Sequence, residues 1–468
     1  MKKFIKNFAY LLVATSIATM VSGCSLRSKT SDTTPKVFTI WSFETEDTWK
    51  PVIKDLQKQL SGYEIKYFQK KLDDSYENDA LNSIMSGQGP DIWAIPNDWI
   101  YRHKDKLAAA PDSVVSQLKL DDKFVPAIKQ SSMFDGKLYS LSPFVDSLTI
   151  FYNQKLIDQT IEEYDASHQT KPTQSEAEKE AVRAEKRRVT TLLSQPASTW
   201  TNFAEIVRLI TKKDGNTVVR SGAALGTSTN IKKSVDILYA MMLQNGTEMT
   251  SDDLKLGTFS LPQNANTGLP DAPAKRAIDF YTSFSNPSSP NYSWSADMPN
   301  DIDALAQGKV AMIFSTNSLV AYYAQNYPNF KYKKSSLPQI GDNDTNVVDY
   351  GTFYSFVVPK LSNNTATAWS MVSALGQNQY GFADILRLPS SKKMTDTTPS
   401  LTARTGESNP GRIQAQTAKV WVKGRYPQAA DTIFKSTIDK VNAEPANSQA
   451  LLDTAAVNLT NLLKKSDW

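Results

Sequence analysis

Cysteine is nearly missing from this chain: 468 residues hold one, Cys24. A single thiol closes no internal disulfide, so stability must come from core packing even in an oxidising compartment. Histidine is almost as scarce, with only His103 and His168. That thins out nucleophile–histidine–acid triads and histidine-rich zinc sites, while carboxylate chemistry stays open. Excess charge is lacking too. The formal net charge is +4, and Lys2, Lys3 and Lys6 supply three of it, leaving about +1. A near-neutral chain gives no electrostatic case for nucleic acid or a polybasic membrane patch. Beyond the first residues no second long apolar run occurs, and the remainder is expected to be soluble.

What is present begins at the N-terminus. The three lysines precede an apolar run from Phe8 to Val21, which ends in Val21-Ser22-Gly23-Cys24. A positive start, an apolar stretch and small residues form the layout of an export signal. The rival reading is a membrane helix with a chance cysteine, but the run is short of the roughly 20 residues that a bilayer span needs. The cleavage segment resembles the lipobox of bacterial lipoproteins. That resemblance implies removal of residues 1–23, a lipid on the Cys24 thiol, and a mature chain tethered to a membrane outside the cytoplasm. Residues 24–35, rich in Ser and Thr, read as a flexible tether.

Strands and helices then alternate. Lys36–Trp41 reads as a buried strand, Trp49–Leu60 as a helix and Tyr63–Phe68 as a second strand. Tyr76–Met85 reads as a helix, stopped by Gly87-Gln88-Gly89-Pro90, and Asp91–Ile95 as a third strand. The order implies an α/β fold with a largely parallel sheet, in which ligands gather beyond the carboxyl ends of the strands. Residues 158–196 stand apart. Their Ser175–Arg188 core sets acids ahead of bases at helical spacing, and Val182, Val189, Leu192 and Leu193 make a thin apolar side. An exposed surface helix is the simpler account and a docking element the alternative. Further helical patterns fall at Ala274–Phe284, Ala366–Leu375, Ile413–Val422, Asp431–Val441 and Ser448–Lys464.

Several segments, in order, carry a resemblance. They are Gly89-Pro90-Asp91-Ile92-Trp93; Phe134-Asp135-Gly136-Lys137-Leu138-Tyr139 through Pro143, followed by Ile150-Phe151-Tyr152-Asn153; Pro196 with Thr199-Trp200; and Leu305–Met312, containing Gly308-Lys309. Together with weaker matches at Ala368-Trp369, Leu401–Arg404 and Trp421, they resemble the extracellular solute-binding proteins of family 1, the sugar receptors of ABC importers. The resemblance implies a two-lobed periplasmic-binding-protein fold of the class II type, whose lobes are joined by crossover strands and close over ligand at a hinge. On that basis residues 36–145 with 310–350 are assigned to an N-terminal lobe, and 146–309 with 351–465 to a C-terminal lobe. Crossings are expected near Pro143–Ile150, Ala311–Ser315 and Tyr350–Ser355. The 158–196 segment is an insertion longer than most relatives carry there.

A sugar offers hydroxyls around a ring and an apolar C–H face, so its site needs carboxylates and amides beside flat aromatic rings. The loop after the first strand offers Trp41 and Glu44, and the loop after the third offers Asp98 and Trp99. By resemblance to the family's maltose-binding members, Asp98 falls where an acid binds sugar hydroxyls and Asp146 at an acid in the first crossing. Asp98 could equally cap a helix, and Asp146 could belong to a structural hydrogen-bond network. Trp41, Trp99 and Trp294 are cleft candidates that could also be core. Tyr350 and Phe353 flank Gly351 at the third crossing, and Arg404 lies on a loop that faces the cleft in relatives. Where those maltose-binding members stack a tryptophan, this chain has Ser315–Leu319, so maltodextrin is not supported. Asp342–Asn346 hints at a calcium loop but lacks the glycine and glutamate that one requires.

The leading expectation is therefore a capture receptor: not an enzyme, with no catalytic residues, metal or cofactor, and a monomer. It would deliver a carbohydrate or other small solute to ABC permease subunits. The alternatives are a surface glycoside hydrolase using Asp98 and Asp146, and a sensor or adhesion module on the same fold.

Overall fold

The computed structural model describes residues 35–262, 272–341, 346–394 and 410–465. The leader, Cys24, nearly all of the tether, most of the calcium-loop candidate and Arg404 lie outside the described residues. The expected early elements form as the strand Lys36–Ser42, helix Glu46–Gln59, strand Tyr63–Gln69, helix Tyr76–Met85 and strand Ile92–Pro96. Local chemistry sets their ends. Thr45 accepts the Thr48 N–H at the start of the first helix, with Glu46 and Asp47 in its first turn and Lys58 in its last.

The first sheet runs Tyr63–Gln69, Lys36–Ser42, Ile92–Pro96, Tyr354–Val357, Ser140–Leu141. The first three strands are parallel, as the alternating pattern predicts. Tyr354–Val357 enters antiparallel to both neighbours, because the chain re-enters this sheet from the other lobe. Ile92 through Ile95 are all fully buried, which a strand covered on both faces requires. Ile92 and Ala94 join Phe38, Ile40 and Trp49 on one face. Trp93 and Ile95 join Trp41 and Trp99 on the other.

The second sheet runs Lys333–Ser335, Thr149–Tyr152, Val310–Ser315, Thr217–Ala223, Lys212–Asp214. Its core takes in Phe203 and Ile206, Leu238 and Tyr239, Phe434 and Ile438, and Leu452 and Leu459. Three expectations are corrected here. The described residues of 310–350 belong to the second lobe, since Val310–Ser315 pairs with Thr149–Tyr152 and Thr217–Ala223. The described residues from 351 to about 420 belong to the first, where Phe356, Trp369, Phe382 and Ala418 share its core, and the chain returns to the second lobe from Trp421 onward. Ala311–Ser315 is thus an interior strand and not a crossing; six consecutive buried residues mark a core strand without saying which core.

Among the described residues three segments do pass between the lobes, and they are bonded to one another. The Leu148 N–H donates to Tyr350 O at 3.1 Å, Thr352 N–H to Asp146 O at 2.9 Å, and Gly351 N–H to Lys419 O at 2.9 Å. Asp349–Tyr350 also pairs in parallel with Ala418–Lys419. A Cβ on Gly351 would lie 3.3 Å from Val145 Cγ1 and 3.5 Å from Ala418 Cβ, so the close approach of the three crossings suits glycine there.

The charged insertion forms an antiparallel pair of helices, Gln154–Ser167 and Glu176–Ser194, the second opened by a Ser175–Glu178 capping box. Val189 and Leu193 anchor it on the second core. Its charges pair locally, Arg187 with Glu180 at 2.6 Å and Arg188 with both Glu185 and Glu205 at 2.8 Å.

Candidate functional site

A cavity of about 920 Å³ opens between the lobes beside the first two crossings. Each lobe contributes the loops at the ends of its strands. From the first come Phe43 and Glu44, Phe144, Phe353 and Tyr354, and the turn Leu386–Leu388. From the second come Lys233, the Thr316–Ser318 turn that opens the helix Ser318–Asn326, Tyr332 and Lys334. This is the upper end of the roughly 300–1,000 Å³ range of small-molecule sites.

The first-lobe wall is aromatic. Tyr354 meets Phe43 edge-on at 5.2 Å between ring centres and Phe144 at 4.8 Å. The Tyr354 hydroxyl donates to Glu44 Oε1. Glu44 Oε2 accepts from Ser42 Oγ at 2.7 Å and Trp49 Nε1 at 3.0 Å. The carboxylate thus holds the aromatic wall to the end of the first strand.

The second-lobe wall is polar, and Asp146 links it to the crossing. Asp146 accepts from Ser147 N–H at 2.9 Å, from Asn317 N–H at 3.0 Å and from Asn317 Nδ2 at 2.9 Å. Burial pushes its pKa up to about 6, against the pull of the Asn317 and Ser147 hydrogen bonds and of Lys233. Lys334 Nζ donates to Asn317 Oδ1 at 2.8 Å. Burial pulls the Lys334 ammonium below its ordinary pKa, and the Asp146 charge offsets part of that. Burial also opposes the charge on Lys233, but Asp236, 3.0 Å away, and Asp146 hold it above the usual lysine value.

Of the residues nominated from sequence, the structure brings Glu44, Asp146 and Phe353 together on this cavity. The others lie elsewhere. Asp98 is held in an ion pair by Lys423 Nζ at 3.3 Å, and Lys423 also reaches Asp431 at 2.8 Å. Trp41 is buried, with the Lys70 ammonium 3.7 Å from its ring centre. Trp99 packs in the same aromatic layer. Trp294 is fully buried and donates to Asn230 Oδ1 at 3.0 Å. Tyr350 lies in the second core against Tyr239. The rings are packed in the core layers of their own lobes, and the Asp98 carboxylate is paired across the lobes with Lys423, so neither is offered to this cavity. Sequence reasoning missed Phe43, Phe144, Tyr354, Lys233, Lys334 and Arg387. For Phe144 and Tyr354 the signal was their place in the crossings; the lysines carried none.

The model of the bacterial extracellular solute-binding protein family matches residues 52–405. A maltotriose-binding protein from Pyrococcus abyssi is 26% identical over 98 residues, 21% of this chain and 21% of that protein, so the match spans about a fifth of that relative's length. Among solved structures, the cyclic alpha-maltosyl-1,6-maltose binding protein from Arthrobacter globiformis superposes with a TM-score of 0.68 at 15% identity, over 92% of this chain and 100% of the other. The sugar-binding protein MalE from the phytopathogen Xanthomonas citri gives 0.65 at 15% identity, over 92% and 97%. These likenesses agree with two α/β lobes joined at a cleft. With the family model spanning most of its length and this fold beneath it, the chain belongs to the bacterial extracellular solute-binding proteins.

Proposed function

We propose that this protein is the substrate-binding lipoprotein of an ABC importer, which captures an oligosaccharide in the interlobe cleft and hands it to a membrane permease. The observation that carries this reading is the cavity itself. An aromatic wall of Phe43, Phe144 and Tyr354 faces a polar wall of Thr316, Asn317 and Lys334, across a space with room for more than one sugar ring. Rings suit the C–H face of a sugar and the polar groups its hydroxyls. The maltotriose-binding protein, the sugar-binding protein MalE and the cyclic alpha-maltosyl-1,6-maltose binding protein support, by their names, the same ligand class. Glu44, Asp146 and Phe353 are the ligand-facing residues of this reading, and Cys24 is its membrane anchor. Among the described residues no helix is long and apolar enough to cross a membrane, so the tether would supply the attachment. Capture and release break no bond, and both cavity carboxylates are occupied by protein donors.

The test is calorimetry of the full chain against neutral and acidic oligosaccharides, with each ligand checked for integrity afterwards. The expected result is saturable binding with the sugar recovered intact, weakened at least about tenfold by Tyr354→Ala. Recovery of a cleaved sugar would move the protein to the hydrolases. Binding to no sugar would overturn the carbohydrate reading.

A further inference from the structure

We propose that the cleft selects an acidic oligosaccharide, one whose rings carry carboxylate or sulfate, with Lys334 and Arg387 receiving the anion and Lys233 behind them. The proposal rests on the carbohydrate reading of the same cavity and narrows it.

The acceptors that a neutral sugar needs are largely taken. A receptor for neutral sugars offers carboxylates with open lone pairs to donating hydroxyls. Here every carboxylate oxygen of Glu44 and Asp146 already accepts from at least one protein donor. What stays open is cationic. Lys334 is half-buried and forms no ion pair among the described residues; its one hydrogen bond goes to Asn317 Oδ1, leaving two of three N–H donors. Arg387, on the opposite wall, has no side-chain hydrogen bond or ion pair among the described residues. Lys233 adds a third positive group, shared with Asp236. Burial opposes the Lys334 charge and Asp146 offsets only part of that cost, so an anion would relieve it, while Arg387 stands exposed at the rim with its donors open to one.

The backbone at Arg387 sets its place. The short helix Phe382–Ile385 ends in a reversal, with Arg387 N–H donating to Asp384 O and Leu388 N–H to Ala383 O, both at 3.0 Å. Arg387 sits there at φ 54°, the left-handed position that such helix ends usually give to glycine. A side chain there strains the backbone. This turn holds Arg387 on the rim of the cavity, without a side-chain partner among the described residues, where its guanidinium can receive an anion.

The test is calorimetry of the full chain with trigalacturonate against maltotriose, and a sulfated disaccharide against its neutral parent, at low and high salt. The acidic member is expected to bind at least about tenfold tighter at low salt, with the preference shrinking as salt rises. Lys334→Gln and Arg387→Gly should each cut that preference severalfold. Arg387→Gly relieves the left-handed strain, so it stays folded even where Lys334→Gln does not. Preference for the sulfated sugar alone would identify sulfate as the anion, and preference for the uronate alone carboxylate. No acidic preference in either pair, or an acidic preference untouched in both folded variants, would overturn the proposal and leave the carbohydrate reading intact. No binding by any sugar would overturn both.

Discussion

Asp146→Asn should remove one source of the stability that the protein loses as pH rises. Burial raises the Asp146 carboxyl from 3.8 to about 6. At about 1.4 kcal/mol per pKa unit, that shift corresponds to about 3 kcal/mol of preference for the protonated form in the folded state. The folded protein therefore binds this proton more tightly than the unfolded chain. Its contribution is complete below the unfolded pKa and is lost as pH rises through the folded one. About 2 kcal/mol of the loss falls between roughly pH 4.5 and 7.5. An asparagine carries no such loss, but its amide nitrogen would face the donors of Asn317 or Ser147, costing about 1–2 kcal/mol at every pH. The variant should thus be the less stable protein at the acidic end and draw level with, or pass, the parent at the neutral end. Asp301, also raised to about 6, is common to both proteins and cancels. Urea unfolding followed by tryptophan fluorescence at the two pH values measures the gap. A difference between parent and variant that stays constant within about 0.5 kcal/mol across this range would refute the burial argument.

Three further outcomes follow from packing and charge. Lys423→Met leaves Asp98 and Asp431 facing each other without their shared cation; it should cost about 3–5 kcal/mol in urea unfolding, and Asp98→Asn in the same chain should restore part of it. Gly376→Ala places a Cβ 2.0 Å from Leu141 Cδ2, so unfolding should show about 1–3 kcal/mol of overpacking. Ser175→Ala removes the capping box of the insertion and should cost about 1 kcal/mol, with calorimetry showing sugar binding unchanged because the cavity lies elsewhere.

Residues 36–96 were legible because strand and helix periods alternate cleanly between strong stops; the expected helix Tyr76–Met85 coincides with the observed one. Lobe membership was not. Val310–Ser315 is apolar throughout, which says that it is buried but not beside which strands. The cavity was legible in part. Glu44 and Phe353 sit in loops or crossings where the fold needs no acid or ring, and each faces the cleft. Asp98 has the same look, yet its partner Lys423 lies 325 positions away, a pairing that local sequence does not show. Tryptophans fail as markers because a large ring buries equally well in a core, as Trp294 does. Lys233 and Lys334 escaped notice because a lysine is by default a solvated charge, and only the tertiary fold brings these two against a buried carboxylate.

The interleaving of the two lobes also dictates when they can be completed. The first sheet waits for Tyr354–Val357, and the second core for the helices Pro427–Ala443 and Ser448–Leu463. A ribosome delivers the amino terminus first, so neither half can bury its hydrophobic centre until most of the polypeptide has been synthesised. Pairings this distant in sequence close slowly. A chain wound in this way holds no closed core until late in its synthesis, and its two lobes reach their packed state together.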